Sequence, residues 1–182
     1  MKPSVECVLD IKAKLGECPV WCPSTGSLYW IDIQAPSLNR FDPSTGSNRV
    51  WMLPEPIGSF ALCEDKRTAL LALKSGLCRF DLASGDLTPL AAPEPNLPHN
   101  RLNDGRCDRQ GRFWVGSMRD PPEPSAPTGS LYRFDSTGRC MPMVGGLYVA
   151  NGLAFSPDGR ILYHSDSFPA VRSIWRWDLD VA

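Results

Sequence analysis

Few residue types in this chain could do chemistry, and the sequence favours oxygen donors over soft metal ligands. Two histidines, His99 and His164, are too few for a histidine-rich centre. Seven cysteines (Cys7, Cys18, Cys22, Cys63, Cys78, Cys107 and Cys140) form an odd set without paired C-x-x-C spacing, so they signal neither a zinc ribbon nor a disulfide framework. They read as reduced thiols packed as small apolar residues. What remains is Glu17, Asn103 and Asn151, each just before a β-patterned run, with Arg101 two residues ahead of Asn103. A carboxylate with amide oxygens is a hard oxygen set, suited to Ca²⁺, Mg²⁺ or Mn²⁺ and less naturally to Zn²⁺.

Each of these residues also has a plainer reading. Asn151-Gly152 and Asp104-Gly105 are strong hairpin signals. The hairpin that follows each pair, however, already has its own turn, at Asp158-Gly159 and at Gln110-Gly111. Glu17 alone reads as a solvated loop carboxylate, and Arg101 alone as a surface cation. The chemical reading therefore depends on the elements that place them.

Those elements emerge when the chain is compared with itself. Leu38-Asn39-Arg40-Phe41-Asp42, Leu77-Cys78-Arg79-Phe80-Asp81, Leu131-Tyr132-Arg133-Phe134-Asp135 and Ile174-Trp175-Arg176-Trp177-Asp178 are copies of one segment. The first three run into turns ending at Gly46, Gly85 and Gly138, and the Asp-to-Asp spacings are 39, 54 and 43 residues. A unit of about 45 residues is the period of a propeller blade. Before each copy stand two β-patterned runs joined by a polar turn, and after the first a further run, Asn48 to Leu53, follows. Four antiparallel strands per repeat make a blade. No window shows sustained helical spacing, so the predicted fold is all-β: a β-propeller with about four blades, near 16–55, 56–95, 100–146 and 150–182. Residues 4–12 are predicted as a strand closing a ring. The recurring Asp42, Asp81, Asp135 and Asp178 read as turn residues, since a catalytic site needs no fourfold copy.

Composition narrows the partners. The 182 residues carry a formal charge of -1 with no basic footprint, which argues against nucleic acid. No apolar window is long enough to span a membrane, and Met1 to Lys14 lacks the core of a signal peptide, so the expected location is the cytoplasm. In a propeller the innermost strands line a central channel, so equivalent residues of successive blades point to one axial region. Glu17, Asn103 and Asn151 would then converge from positions up to 134 residues apart.

The segments around these residues carry a resemblance. Gly16-Glu17-Cys18-Pro19-Val20-Trp21 resembles the G-E-x-P-V-W segment of the SMP-30/gluconolactonase/regucalcin family. Asn100-Arg101-Leu102-Asn103-Asp104-Gly105 resembles its N-R-x-N-D-G, continuing through Asp108, Gly111-Arg112 and Gly116-Ser117-Met118. Asn151-Gly152-Leu153-Ala154-Phe155-Ser156 resembles N-G-L-x-W/F-S, followed by Asp166-Ser167. The resemblance implies a six-bladed propeller that hydrolyses sugar lactones at a divalent metal, Ca²⁺, Zn²⁺, Mg²⁺ or Mn²⁺. It implies Glu17 and Asn151 as metal ligands, with Asn103 close by or acting through water and substrate, and Arg101 holding sugar hydroxyls. It also places an aspartate that is both ligand and general base in a P-D-G-x-x-x-D segment beyond Ala182. An acidic substrate contact is expected after Met118, where Asp120 and Glu123 are the candidates. The Pro-stiffened segment Asp120 to Gly129 accounts for the long 54-residue spacing and reads as a lid near the channel mouth. The alternatives are a non-catalytic binding propeller and a calcium-binding regulatory protein.

Overall fold

The computed structural model describes residues 4–180 and contains fifteen strands and no helix among them. In chain order the strands form four antiparallel meanders. The first holds β1 (Gly16–Cys22), β2 (Ser27–Asp32), β3 (Ser37–Asp42) and β4 (Ser47–Met52). The second holds β5 (Ile57–Leu62), β6 (Thr68–Leu73), β7 (Leu77–Asp81) and β8 (Leu87–Ala91). The third holds β9 (Asn100–Cys107), β10 (Phe113–Arg119), β11 (Gly129–Phe134) and β12 (Cys140–Leu147). The last holds β13 (Ala150–Phe155), β14 (Ile161–Asp166) and β15 (Ser173–Asp178). The fold class is all-β, and each four-stranded meander is a propeller blade.

Residues 4–15 join no described sheet, so the ring-closing strand predicted over 4–12 stays an expectation. A strand exists only as one side of a ladder, and no described strand pairs with this segment. The chain forms two compact units, one ending at Pro56 and the other starting at Ile57.

The first unit buries Tyr29, Ile31, Leu38, Phe41 and Trp51, and the Arg49 guanidinium lies 4.4 Å over the Trp51 ring. The second unit contains the other three sheets, stacked through two apolar layers. Leu70, Ala72, Leu77, Leu102, Phe113, Val115 and Tyr132 join the second sheet to the third. Trp114, Leu131, Leu147, Ala150, Leu153 and Leu162 join the third to the last. Strand β6, Thr-Ala-Leu-Leu-Ala-Leu, is buried along its whole length, so both of its faces are covered. Close approach of the inner strands has a residue requirement: a Cβ on Gly58 of β5 would overlap Leu102 O and Asn103 Cα of β9. Glycine at 58 thus lets β5 lie directly against the strand carrying Arg101 and Asn103.

The turn aspartates behave as expected in three repeats. Asp42, Asp81 and Asp135 each accept from backbone N–H groups two residues on, Ser44, Ala83 and Thr137, at 2.8–2.9 Å. These bonds hold all three carboxyls below the usual range, the Ser44 and Thr137 hydroxyls leading at Asp42 and Asp135 and the Ser84 amide at Asp81. Asp178 differs from the expectation: it accepts from Arg176 Nη2 at 2.9 Å.

Candidate active site

All four innermost strands are irregular at the same place. Register shifts fall between Glu17 and Val20 in β1, Ile57 and Ser59 in β5, Leu102 and Gly105 in β9, and Asn151 and Ala154 in β13. In β1 the extra residue is accommodated by Cys18 at φ 51°, and in β13 by Gly152 at φ 63°. A bulge re-aims the side chains beside it. The residues singled out from sequence, Glu17, Asn103 and Asn151, all stand at these bulges.

Glu17 is exposed and lies in the first unit, where it lines a cavity of about 550 Å³ with Trp30, Phe41 and the segment Cys7 to Ala13. Arg101, Asn103 and Asp120 lie in the second unit and form one hydrogen-bonded cluster. Arg101 is 7% exposed. Its Nε donates to Asp120 Oδ2 at 2.7 Å, and its Nη1 donates to Asn103 Oδ1 at 2.7 Å and to Leu102 O at 3.2 Å. A cation this buried is tolerable only with charge-assisted partners of this kind. Asp120 keeps a solvent-facing side, its side chain being 47% exposed. The other acidic candidate, Glu123, turns to Arg119, Oε2 lying 2.9 Å from Nε.

Asn103 is buried and ties three strands together. Its Nδ2 donates to Ala150 O at 2.9 Å, immediately before Asn151, and its own carbonyl accepts from Ser59 Oγ at 2.7 Å. Its neighbour Asp104 accepts from Leu153 N at 2.8 Å. Asn151 is half-buried: Nδ2 donates to Ser167 Oγ at 3.2 Å, and Oδ1 accepts from Gly152 N at 3.0 Å. An amide oxygen has two lone pairs, so Oδ1 of Asn151 retains one for a ligand.

Sequence reasoning missed the supports of this cluster. Glu94, in the loop before β9, accepts from Ser117 Oγ at 2.6 Å, Tyr132 OH at 2.9 Å and Asn100 Nδ2 at 2.9 Å. Burial, reinforced by Glu94, pushes the Tyr132 phenol up to about 12. Nothing in the Pro-rich stretch around Glu94 marks it. A second missed support had a signal: β2 and β14 both end in an aspartate. Asp32 accepts from the N–H groups of Lys14, Leu15, Gln34 and Ala35, and Asp166 from those of Tyr148, Val149 and Phe168, all at 2.7–3.1 Å. Each aspartate thereby clamps the backbone leading into its bulged inner strand.

Asn103 is a poor ligand for a cation, because its Oδ1 already receives the Arg101 guanidinium, and a cation there would face another positive charge. Among the described residues no three His, Cys, Asp or Glu side chains cluster as a metal site. No helix among them is long and apolar enough to cross a membrane.

Comparison with known proteins gives concordant matches. The family profile described as SMP-30/Gluconolactonase/LRE-like region matches residues 15–182. A 6-deoxy-6-sulfogluconolactonase of Pseudomonas putida is 42% identical over 181 residues, covering 99% of this chain and 60% of the relative. An L-arabinolactonase of Azospirillum brasilense is 39% identical, covering 93% and 56%. Among solved structures, a calcium-binding protein, regucalcin, from Agrobacterium tumefaciens superposes with a TM-score of 0.85 at 33% identity, covering 92% of this chain and 55% of that one. The chain thus spans somewhat under two thirds of the length of the relatives it matches.

Proposed function

Because this chain belongs to the SMP-30/gluconolactonase/LRE-like family, we propose that the whole protein hydrolyses a sugar lactone, water adding to the ring carbonyl and the ring C–O bond breaking to leave an open-chain hydroxy acid. The observation that carries this reading is the buried Arg101. Three of its five N–H groups are engaged by Asp120, Asn103 and Leu102, and Nη2 has no hydrogen-bond partner among the described residues. A guanidinium fixed along one edge with two donors left over is a preorganised holder for sugar hydroxyls. The open side of Asp120 accepts a further substrate hydroxyl, and Asn103 sets the guanidinium plane. Glu17 and Asn151 would hold a divalent ion, Ca²⁺, Mg²⁺, Mn²⁺ or Zn²⁺. Such an ion, when bound, polarises the carbonyl and lowers the pKa of water. The general base is proposed to be the aspartate that the family pattern places after residue 182. The relatives' names point to aldonolactones of five or six carbons as the first substrates to try. The cytoplasm is the proposed location.

The test is hydrolysis of glucono-1,5-lactone and L-arabinonolactone by the whole protein, before and after chelation with verified metal removal. Activity should vanish with EDTA and return with one of the four ions. Glu17→Gln should weaken metal binding and cut turnover by orders of magnitude. Full activity in the metal-free protein would eliminate the assignment of Glu17 and Asn151 as ligands. No activity on any lactone with metal present would eliminate the function.

A further inference from the structure

The connection from β10 to β11 spans residues 120–128, whereas the corresponding connections in the other three sheets are 33–36, 74–76 and 167–172. This longer loop begins with Asp120, the partner of Arg101. Its near end is fixed by Asp120 N donating to His99 O at 2.9 Å, and its far end by Thr128 Oγ1 donating to Asn100 Oδ1 at 2.8 Å. Its middle is met by a residue of the connection between β12 and β13: Tyr148 OH donates to Pro124 O at 3.0 Å.

Tyr148 is itself rigidly held. Asp166, 2% exposed, accepts from Tyr148 N at 2.7 Å and from Phe168 N at 3.0 Å, so one carboxylate sets both backbones. The two rings stack at 4.6 Å between centroids and 15° between planes. The first sheet provides an internal control. Asp32 clamps Lys14 N and Leu15 N just as Asp166 clamps Tyr148 N and Val149 N, and Gln34 N takes the place of Phe168 N. The clamp therefore works with Lys and Gln at these positions, and the backbone does not require an aromatic pair. What differs beside the last sheet is the contact Tyr148 makes with the loop.

We infer that Tyr148, seated on Phe168, is a positioning residue that latches the 120–128 loop and so keeps Asp120 against Arg101 for substrate binding. The inference rests on the reading of Arg101 and Asp120 as substrate contacts. Loss of the phenol hydroxyl alone frees the middle of the loop, and the bonds at its two ends then open more often. Asp120 then samples positions away from Arg101, and affinity falls more than turnover.

The test is Tyr148→Phe in the whole protein, which keeps the stack and removes only the hydrogen bond. Amide exchange should rise at Asp120, Ala126 and Thr128, whose N–H groups donate to His99 O, Glu123 O and Ala126 O within or beside the loop. KM for glucono-1,5-lactone should rise about 3- to 10-fold, the scale of one hydrogen bond, with kcat within about twofold. Phe168→Leu, which removes the seat for the ring, should move both readouts the same way. Unchanged loop exchange in Tyr148→Phe, or raised exchange with unchanged KM, overturns the latch. Arg101→Ala separates the two readings: an unchanged KM there sinks the substrate-contact assignment, while the exchange result still reports on whether Tyr148 holds the loop.

Discussion

His164 shows how a single donor fixes a residue's chemistry. It is fully buried, stacked on Trp175 at 5.0 Å and on Trp177 at 5.8 Å between ring centroids. Trp177 Nε1 lies 2.8 Å from its Nδ1. An indole N–H only donates, so Nδ1 carries a lone pair and the neutral ring bears its proton on Nε2. Protonation would place two donors face to face. Burial accordingly depresses the His164 pKa below its ordinary 6.5, outweighing the opposing pull of Asp166. For a base with a depressed folded value, the unfolded chain takes up the proton first. Stability is thus unaffected above about pH 6.5 and falls as pH drops below it, down to the folded value. Urea unfolding across pH 7.5 to 5 should show this loss, and His164→Gln, which keeps an acceptor for Trp177 but cannot titrate, should flatten it. Asp32 does not confound the window, because its pKa lies below 3.8, held there against burial by four backbone N–H bonds, so its contribution is lost only at lower pH. An equal slope in the variant would show that other groups cause the loss.

Among the elements, the blade is a simple meander whose functional detail is concentrated at one end. Each inner strand bulges within its first five residues, and in the first and last sheets a buried aspartate fastens the approach to that bulge. The clamp and the repeat turn use the same residue type in opposite settings, which makes their substitutions diverge. Asp32→Asn and Asp166→Asn each put an amide N–H₂ against backbone donors in a buried place, and should destabilise by about 1–3 kcal/mol. Asp42→Asn preserves the turn's acceptor at the surface and should change little. Denaturant midpoints of the three variants provide the comparison, and equal shifts for Asp42 and Asp32 would contradict the division. The blade rhythm was readable because strand period, turn glycines and the Arg-aromatic-Asp copies agree with one another. Alternation over residues 4–12 is weaker evidence, since it describes a face and says nothing of whether a neighbouring ladder exists.

For the molecule as a whole, large apolar side chains remain on the outside of both units. Ile174 is 78% exposed, Met52 72% and Trp21 53%, with Tyr163 and Trp177 close to 37%. Apolar exposure of this extent favours association. The 20.1 kDa chain of 182 residues, prepared alone, is therefore expected to self-associate at micromolar concentration in sedimentation velocity. A single monomeric boundary at all concentrations would refute this.

The sequence by itself determined the repeat, the all-β blades and the residues standing where the inner strands begin, because these are properties of local spacing that every copy restates. It also named Arg101, Asn103 and Asp120, and the fold brings these three together. Only the tertiary structure decided which polar atoms meet. It chose Asp120 over Glu123 as the partner of Arg101, turned the Asn103 oxygen toward that guanidinium, and recruited Glu94 and Tyr148 from outside every motif. Hydrogen bonds depend on ångström-scale placement of groups up to 38 residues apart in the chain, and that placement is set by how sheets stack and where loops are tied, which no local pattern encodes.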